Sequence, residues 1–238
     1  MTKGKFLFCC VLLAALAYCG VTFYPSVFFS SNYVYKNLTL YTHDPLRESP
    51  DKLLSAIYEK ISSDDFYNSD QNLEVYLTGR YREYVFLAPF CRKDYSCVHP
   101  LSSKVFIASS DMDKNLAYAP RRRGIGRDLA GVITHELVKA QIKDKMGFLN
   151  YAFLPDWRKE GYAEHIAMET QHLDPAAFCA GNSGTDLALP YLENRLIVEM
   201  LKAEDDISYP VLIKGNYSHE GVLSRVEQKY CGRVLSGK

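Results

Sequence analysis

Two short strings within residues 128–170 constrain what this chain can fold into more than any other stretch: Thr134-His135-Glu136-Leu137-Val138-Lys139, and Trp157-Arg158-Lys159-Glu160-Gly161-Tyr162-Ala163-Glu164. Leu129, Val132, Ile133, Leu137, Val138, Ile142 and Met146 recur at spacings of three and four, which is the helical period. Gly147 reads as the stop. Glu160 and Glu164 are four apart, so a helix carries both on one face. Residues 140–159 are enough chain to finish one helix, turn, and lay a second antiparallel beside it.

The rest of the chain fits one domain, with two as a ceiling at 238 residues. Lys plus Arg and Asp plus Glu are 28 each, so zero net charge gives no electrostatic footprint for nucleic acid, and none is expected as a partner. No internal repeat and no low-complexity tract stands out. Residues 1–31 read as a targeting segment and 32–238 as the folded domain. Lys3 and Lys5 precede an apolar run from Phe6 to Tyr24, relieved only by Gly20 and Thr22. At helical rise that run covers ~28 Å, close to a hydrocarbon core. An uncleaved anchor, a signal cleaved after Ala15-Leu16-Ala17, and a lipoprotein signal ending at Cys19 are the three readings, in that order. Tyr18 is bulky for the last. Each puts the domain outside the cytoplasm: a single-pass cell-membrane protein if the segment stays, a secreted or periplasmic one if it leaves.

Of seven cysteines, Cys9, Cys10 and Cys19 lie in the apolar run. Cys91, Cys97, Cys179 and Cys231 remain, and an even number in an exported domain suggests two disulfides. Three connectivities are open; a short Cys91–Cys97 staple leaves Cys179 with Cys231. No pair has the C-x₂-C spacing of a zinc site.

Alternation at 35–42 predicts a strand, and 73–77, 84–90 and 104–108 are further strand candidates. Ser49-Pro50-Asp51 predicts a helix start with Ser49 as cap, followed by an apolar face of Leu53, Leu54, Ile57, Tyr58 and Ile61. The basic run Arg121–Arg127 reads as a solvated loop in preference to an anion or phospholipid contact. Residues 174–188 read as a loop, Leu187 to Leu201 as a helix with Tyr191, Arg195, Val198 and Leu201 on one stripe, and 219–235 as a short amphipathic helix. The fold class is α+β: a small mixed sheet, then a helical half.

His135-Glu136 matches the first half of H-E-x-x-H, in which two histidines one turn apart hold zinc and the glutamate is the general base. With Leu129-Ala130-Gly131-Val132-Ile133-Thr134 before it and Pro155-Asp156-Trp157-Arg158-Lys159-Glu160-Gly161-Tyr162-Ala163-Glu164 after it, the sequence resembles the gluzincin (peptidase-MA-like) zinc metallopeptidases. The match is tight over about a fifth of the chain and looser from Asn37 onward. The resemblance implies His135 and Glu160 as metal ligands and Glu136 as the base. It implies Glu164 as the acid that orients the histidine, and Gly161 as the point where the two helices approach. A Tyr-x-x-x-Arg pattern in similar proteins implies Tyr191 and Arg195 at the cleft; core packing with a surface ion pair is the competing reading.

Lys139 departs from the pattern, standing where the second histidine is expected. Its ammonium has no lone pair for a metal. Two readings follow. In the first, the domain is a pseudoenzyme without cofactor, Lys139 pairs with Glu136 and Glu160, and the cleft binds peptide or protein. In the second, it is an active zinc peptidase that recruits a replacement ligand from His165, His172 or His219.

Overall fold

A computed structural model describes residues 3–119, 122–180 and 188–232. In chain order these form α1 (Lys3–Phe23), β1 (Ser31–Tyr35), β2 (Leu38–Thr42), α2 (Asp51–Ile61), β3 (Leu73–Leu77) and α3 (Tyr81–Leu87). Then come β4 (Ser96–Val98), β5 (Val105–Ile107), β6 (Ser110–Asp111), β7 (Leu116–Ala119) and β8 (Arg122–Asp128). The helical half follows: α4 (Leu129–Met146), α5 (Phe148–Phe153), α6 (Asp156–Ala167), α7 (Leu189–Asp205), α8 (Tyr209–Lys214) and α9 (His219–Cys231).

The architecture is α+β. A mixed five-stranded sheet runs in the order β1-β2-β3-β5-β4, with β2, β3 and β5 parallel and β1 and β4 as antiparallel edges. A second, antiparallel sheet is β6-β7-β8. Alternation along the first sheet sends Leu38, Leu40, Val75, Val105 and Ile107 to one face, where they pack with Leu54, Ile57, Ile133 and Leu137 of α2 and α4. The opposite face turns Tyr76, Cys97 and Phe106 toward Phe29, Tyr84 and Leu87. Val21 of α1 packs against that second cluster, so the end of α1 belongs to the domain.

α4 is buried on almost every side, from Leu129 to Lys143. It starts where the Asp128 carboxylate accepts from the Gly131 amide at 2.6 Å, a side-chain cap, and stops at Gly147, whose φ of +80° belongs to the region that favours glycine. α6 stops at Met168 in the left-handed conformation. α7 lies along α6 because Gly161 has no side chain: a Cβ there would sit 2.3 Å from the Asn194 carbonyl oxygen. The two helices that Gly161 brings together are thus α6 and α7, not α4 and α6.

Several sequence expectations change. Residues 35–42 hold a hairpin, β1 and β2, turned at Lys36-Asn37 with Lys36 at φ +55°. Residues 84–90 are not a strand: burial at Tyr84, Leu87 and Ala88 follows a helical period, α3 forms, and Pro89 opens a short 3₁₀ turn. Ser49 does not cap α2; Pro50 holds the cap position and its carbonyl accepts from Leu54 at 2.8 Å. The basic run, from Arg122 on, is strand β8 rather than a loop; Arg121 lies outside the described residues. The 174–188 loop holds a 3₁₀ turn at Pro175–Ala180, and 181–187 lie outside the described residues, as does the stretch from 233 that was expected to finish the last helix.

Two disulfides close, Cys91–Cys97 and Cys179–Cys231. The first ties edge strand β4 to the turn after α3. The second ties the 3₁₀ turn at Pro175–Ala180 to α9. Among the described residues no helix is long and apolar enough to cross a membrane; α1 nevertheless exposes Leu7, Phe8, Val11, Leu13 and Leu16.

Candidate functional site

α4 passes beneath edge strand β4, and α6 lies beside α4, so the two sequence strings meet under one end of the sheet. Glu160 sits at the centre. Its Oε2 accepts from His135 Nε2 at 2.8 Å, and its Oε1 lies 2.8 Å from Lys139 Nζ. Both carboxylate oxygens are therefore committed to internal cations. His135 is held from its other side by Glu164, with Nδ1 to Oε2 at 3.4 Å. Glu164 is itself fixed by the Thr170 amide, 2.6 Å from Oε1. Lys139 Nζ also lies 3.4 Å from Glu136 Oε1, which accepts from the Ser96 hydroxyl at 2.9 Å. Glu136 Oε2 and the Tyr84 hydroxyl are buried without a hydrogen-bond partner.

The electrostatics follow from this pairing. Burial works against the His135 imidazolium, but hydrogen bonds to Glu160 and Glu164 and the Glu160 charge outweigh it and hold its pKa at about 9. A histidine protonated on both nitrogens donates to both glutamates and offers no lone pair. Burial likewise disfavours the Lys139 ammonium, yet the Glu136 and Glu160 charges hold its pKa well above the usual lysine value. Burial pushes Glu160 up; Lys139 and His135 prevail and hold it well below the usual carboxylate range. At the rim, burial and the Glu136 and Glu160 charges raise Asp94.

The cluster faces a cavity of about 460 Å³ whose walls include Ser96, Tyr151, Tyr191 and Asn194, with Cys91 and Cys97 at one side. Tyr191 stands edge-on to His135, ring centroids 5.4 Å apart. Arg127 lies 4.2 Å over the Tyr191 ring and is paired with Glu169, Nε to Oε1 at 2.6 Å. The arginine of the basic run nearest α4 is therefore not solvated: it braces a wall of the cavity. A second hollow of about 500 Å³ lies beyond Tyr95 and Arg127.

The structure thus brings together His135, Glu136, Lys139, Glu160, Glu164 and Tyr191. It does not bring Arg195 to them. That buried guanidinium points to Glu199 at 3.5 Å, on the side of α7 where His165 also meets Glu199. None of the three alternative histidines lines the cavity. His165 lies beside Tyr209, His172 contacts the Glu169 carbonyl, and His219 packs near Trp157. No motif points to Ser96, Tyr151 or Asn194; Arg127 is marked only as part of the basic run, where it reads as solvated.

The residues present do not fit a zinc ion. The ligand position holds the Lys139 ammonium, 2.8 Å from Glu160 Oε1, and the other Glu160 oxygen is engaged by His135 Nε2 at 2.8 Å. Among the described residues no group of three or more His, Cys, Asp or Glu is arranged to hold a metal. No family model matches the chain, and a search of the curated proteins finds no match to it.

Proposed function

We propose that this protein is an exported, membrane-tethered, gluzincin-like domain without zinc hydrolysis, which uses its cleft to bind an extended segment of peptide or protein. The observation that carries it is the Lys139 ammonium 2.8 Å from Glu160. One internal cation satisfies the carboxylate that would otherwise hold a metal. The remaining cavity keeps two features suited to a peptide. It is walled by aromatic rings, and it runs beside β4, an edge strand of the first sheet, the kind of edge on which an extended segment can add as a further strand. Two disulfides support an oxidising compartment, and the exposed apolar face of α1 supports a tether. The zinc-peptidase reading draws on the retained Glu164–His135 contact, but every replacement histidine it needs lies elsewhere.

The test is a peptide-display selection against the full chain in lipid nanodiscs, followed by titration of the enriched peptides against Asn194→Trp, which fills the cavity and leaves the Lys139 cluster intact. Enriched peptides should bind the wild type and lose at least about tenfold in affinity, roughly 1.4 kcal/mol, for the variant. Equal binding to both would place the peptides elsewhere, and no enrichment would remove the cleft as a peptide site.

A further inference from the structure

A hollow of about 740 Å³ opens between α5, α6 and α8 and shares no wall residue with the cleft. Phe66, Met146, Phe153, Leu154, Pro210 and Ile213 make much of its wall apolar. Phe153 is 85% exposed, so part of that wall is left to solvent. The charges around the hollow do not balance. Arg158, Lys145 and Lys214 line it, against one carboxylate, Asp65. Arg158, from α6, is only 7% exposed. Its Nη1 donates to the carbonyls of Leu212 at 3.2 Å, Ile213 at 3.2 Å and Gly215 at 2.6 Å, and its Nη2 to that of Tyr217 at 3.2 Å. All four acceptors are neutral, and the buried Nε has no hydrogen-bond partner. Other arginines inside the domain meet an acid: Arg195 has Glu199 at 3.5 Å, and Arg127 has Glu169. Burial holds the Arg158 pKa below the ordinary arginine value, and no carboxylate is among the groups that raise it. A buried charge matched only by carbonyl dipoles leaves a positive field in the low-dielectric wall beside it. Lys145 and Lys214 are exposed and in no ion pair among the described residues. The acids next in sequence to the wall are engaged elsewhere: Asp144 accepts from Gln71 and Ser103, and Asp156 lies 2.8 Å from Lys159.

We propose that this hollow is a binding site for a small alkyl carboxylate, its chain on the apolar wall and its anionic end at Lys145 and Lys214, in the field of Arg158. A compact anion would leave the apolar wall wet, and a hydrocarbon would leave the Arg158 charge without a counter-ion. An apolar body with one carboxylate answers both. A peptide terminus fits less well. The wall is mostly helical, from α5, α6, α8 and the end of α4, and its backbone groups pair within those helices, so peptide amides find no strand edge. The volume falls in the usual range for small-molecule sites, roughly 300–1,000 Å³. The inference does not depend on what the cleft binds.

The test is a titration of the full chain in lipid nanodiscs with ω-trifluoro-octanoate, read by fluorine NMR, with empty nanodiscs subtracted to remove partition into lipid. The comparators are ω-trifluoro-octanamide and a short acetylated peptide ending in trifluoromethyl-phenylalanine. Octanoate should bind saturably, and the uncharged amide at least about tenfold more weakly. Lys214→Gln and Phe153→Asp should each weaken octanoate by about threefold or more, and Asp65→Asn, which removes the one acid of the wall, should strengthen it. All three positions are exposed, so these variants keep the fold. No saturable binding above empty nanodiscs would overturn the proposal. Equal binding of acid and amide would reduce the hollow to an apolar surface, and equal binding by wild type, Lys214→Gln and Phe153→Asp would place the ligand elsewhere. Tighter binding of the peptide than of octanoate would give the site to a chain terminus and overturn the small-molecule occupant.

Discussion

Lys139 and His135 are two cations set among three carboxylates, Glu136, Glu160 and Glu164. A buried charge is tolerated only when paired and hydrogen-bonded, and each member of this group has its partner within the cluster. The His135 proton reports on the arrangement. Its folded pKa lies above the unfolded value of 6.5, so the imidazolium contributes stability that is fully present below pH 6.5 and lost as pH rises through about 9. Lys143 acts in the opposite sense. Burial lowers its pKa to about 8, so it costs stability at low pH, and that cost is relieved as pH rises from about 8 toward its unfolded value of 10.5. Melting curves mix the two, whereas the His135 ring resonance isolates one. An NMR titration should place it near 9, moving downward in Glu160→Gln; a wild-type value at or below 6.5 would mean that the glutamates do not hold it.

Among the elements, α6 depends on what is missing from one residue. At Gly161 a Cβ would meet the Asn194 carbonyl oxygen at 2.3 Å and Val198 Cγ2 at 2.8 Å, and the first of these is backbone that cannot rotate away. Gly161→Ala is expected to destabilise the domain by about 1–3 kcal/mol through overpacking, despite the gain in helix propensity. Denaturant unfolding measures this, and a neutral or stabilising result would mean α6 and α7 are not so close. The same helix pair explains the position of the cleft. α7 closes against α6 at Gly161, which sets Tyr191 over His135 and turns Arg195 toward Glu199 on the far side. Tyr191 and Arg195 are four apart on α7, yet Tyr191 meets His135 while Arg195 meets Glu199.

Across the whole molecule, the sequence was most legible where one period ran uninterrupted. α4 and α7 carry apolar residues at spacings of three and four, and the spacing of Glu160 and Glu164 put both acids on one face of α6; only the resemblance to gluzincins turned that face toward His135. The strand at 73–77 was equally plain. Legibility failed where an apolar run was short. Tyr84–Phe90 is compatible with period two and with period three, and packing of Tyr84 and Leu87 beneath the sheet decided for helix. It failed again where a site residue arrives from a segment with no pattern, as Ser96 does from an edge strand of three residues and Tyr151 from a helix of six. Arg127 was hidden because charge in a run suggests solvent, while its partner Glu169 is a turn beyond α6. The central claim is that the Lys139 ammonium stands where a gluzincin holds its metal. Zinc titration of the full chain against a competing chelator at neutral pH, for wild type and Lys139→His, tests it most directly. The account predicts no stoichiometric zinc on the wild type and tight, stoichiometric zinc on Lys139→His, where two histidines and Glu160 complete a three-ligand set. Stoichiometric zinc on the wild type would contradict it, and no zinc on Lys139→His would mean that the site lacks the geometry of a metal centre.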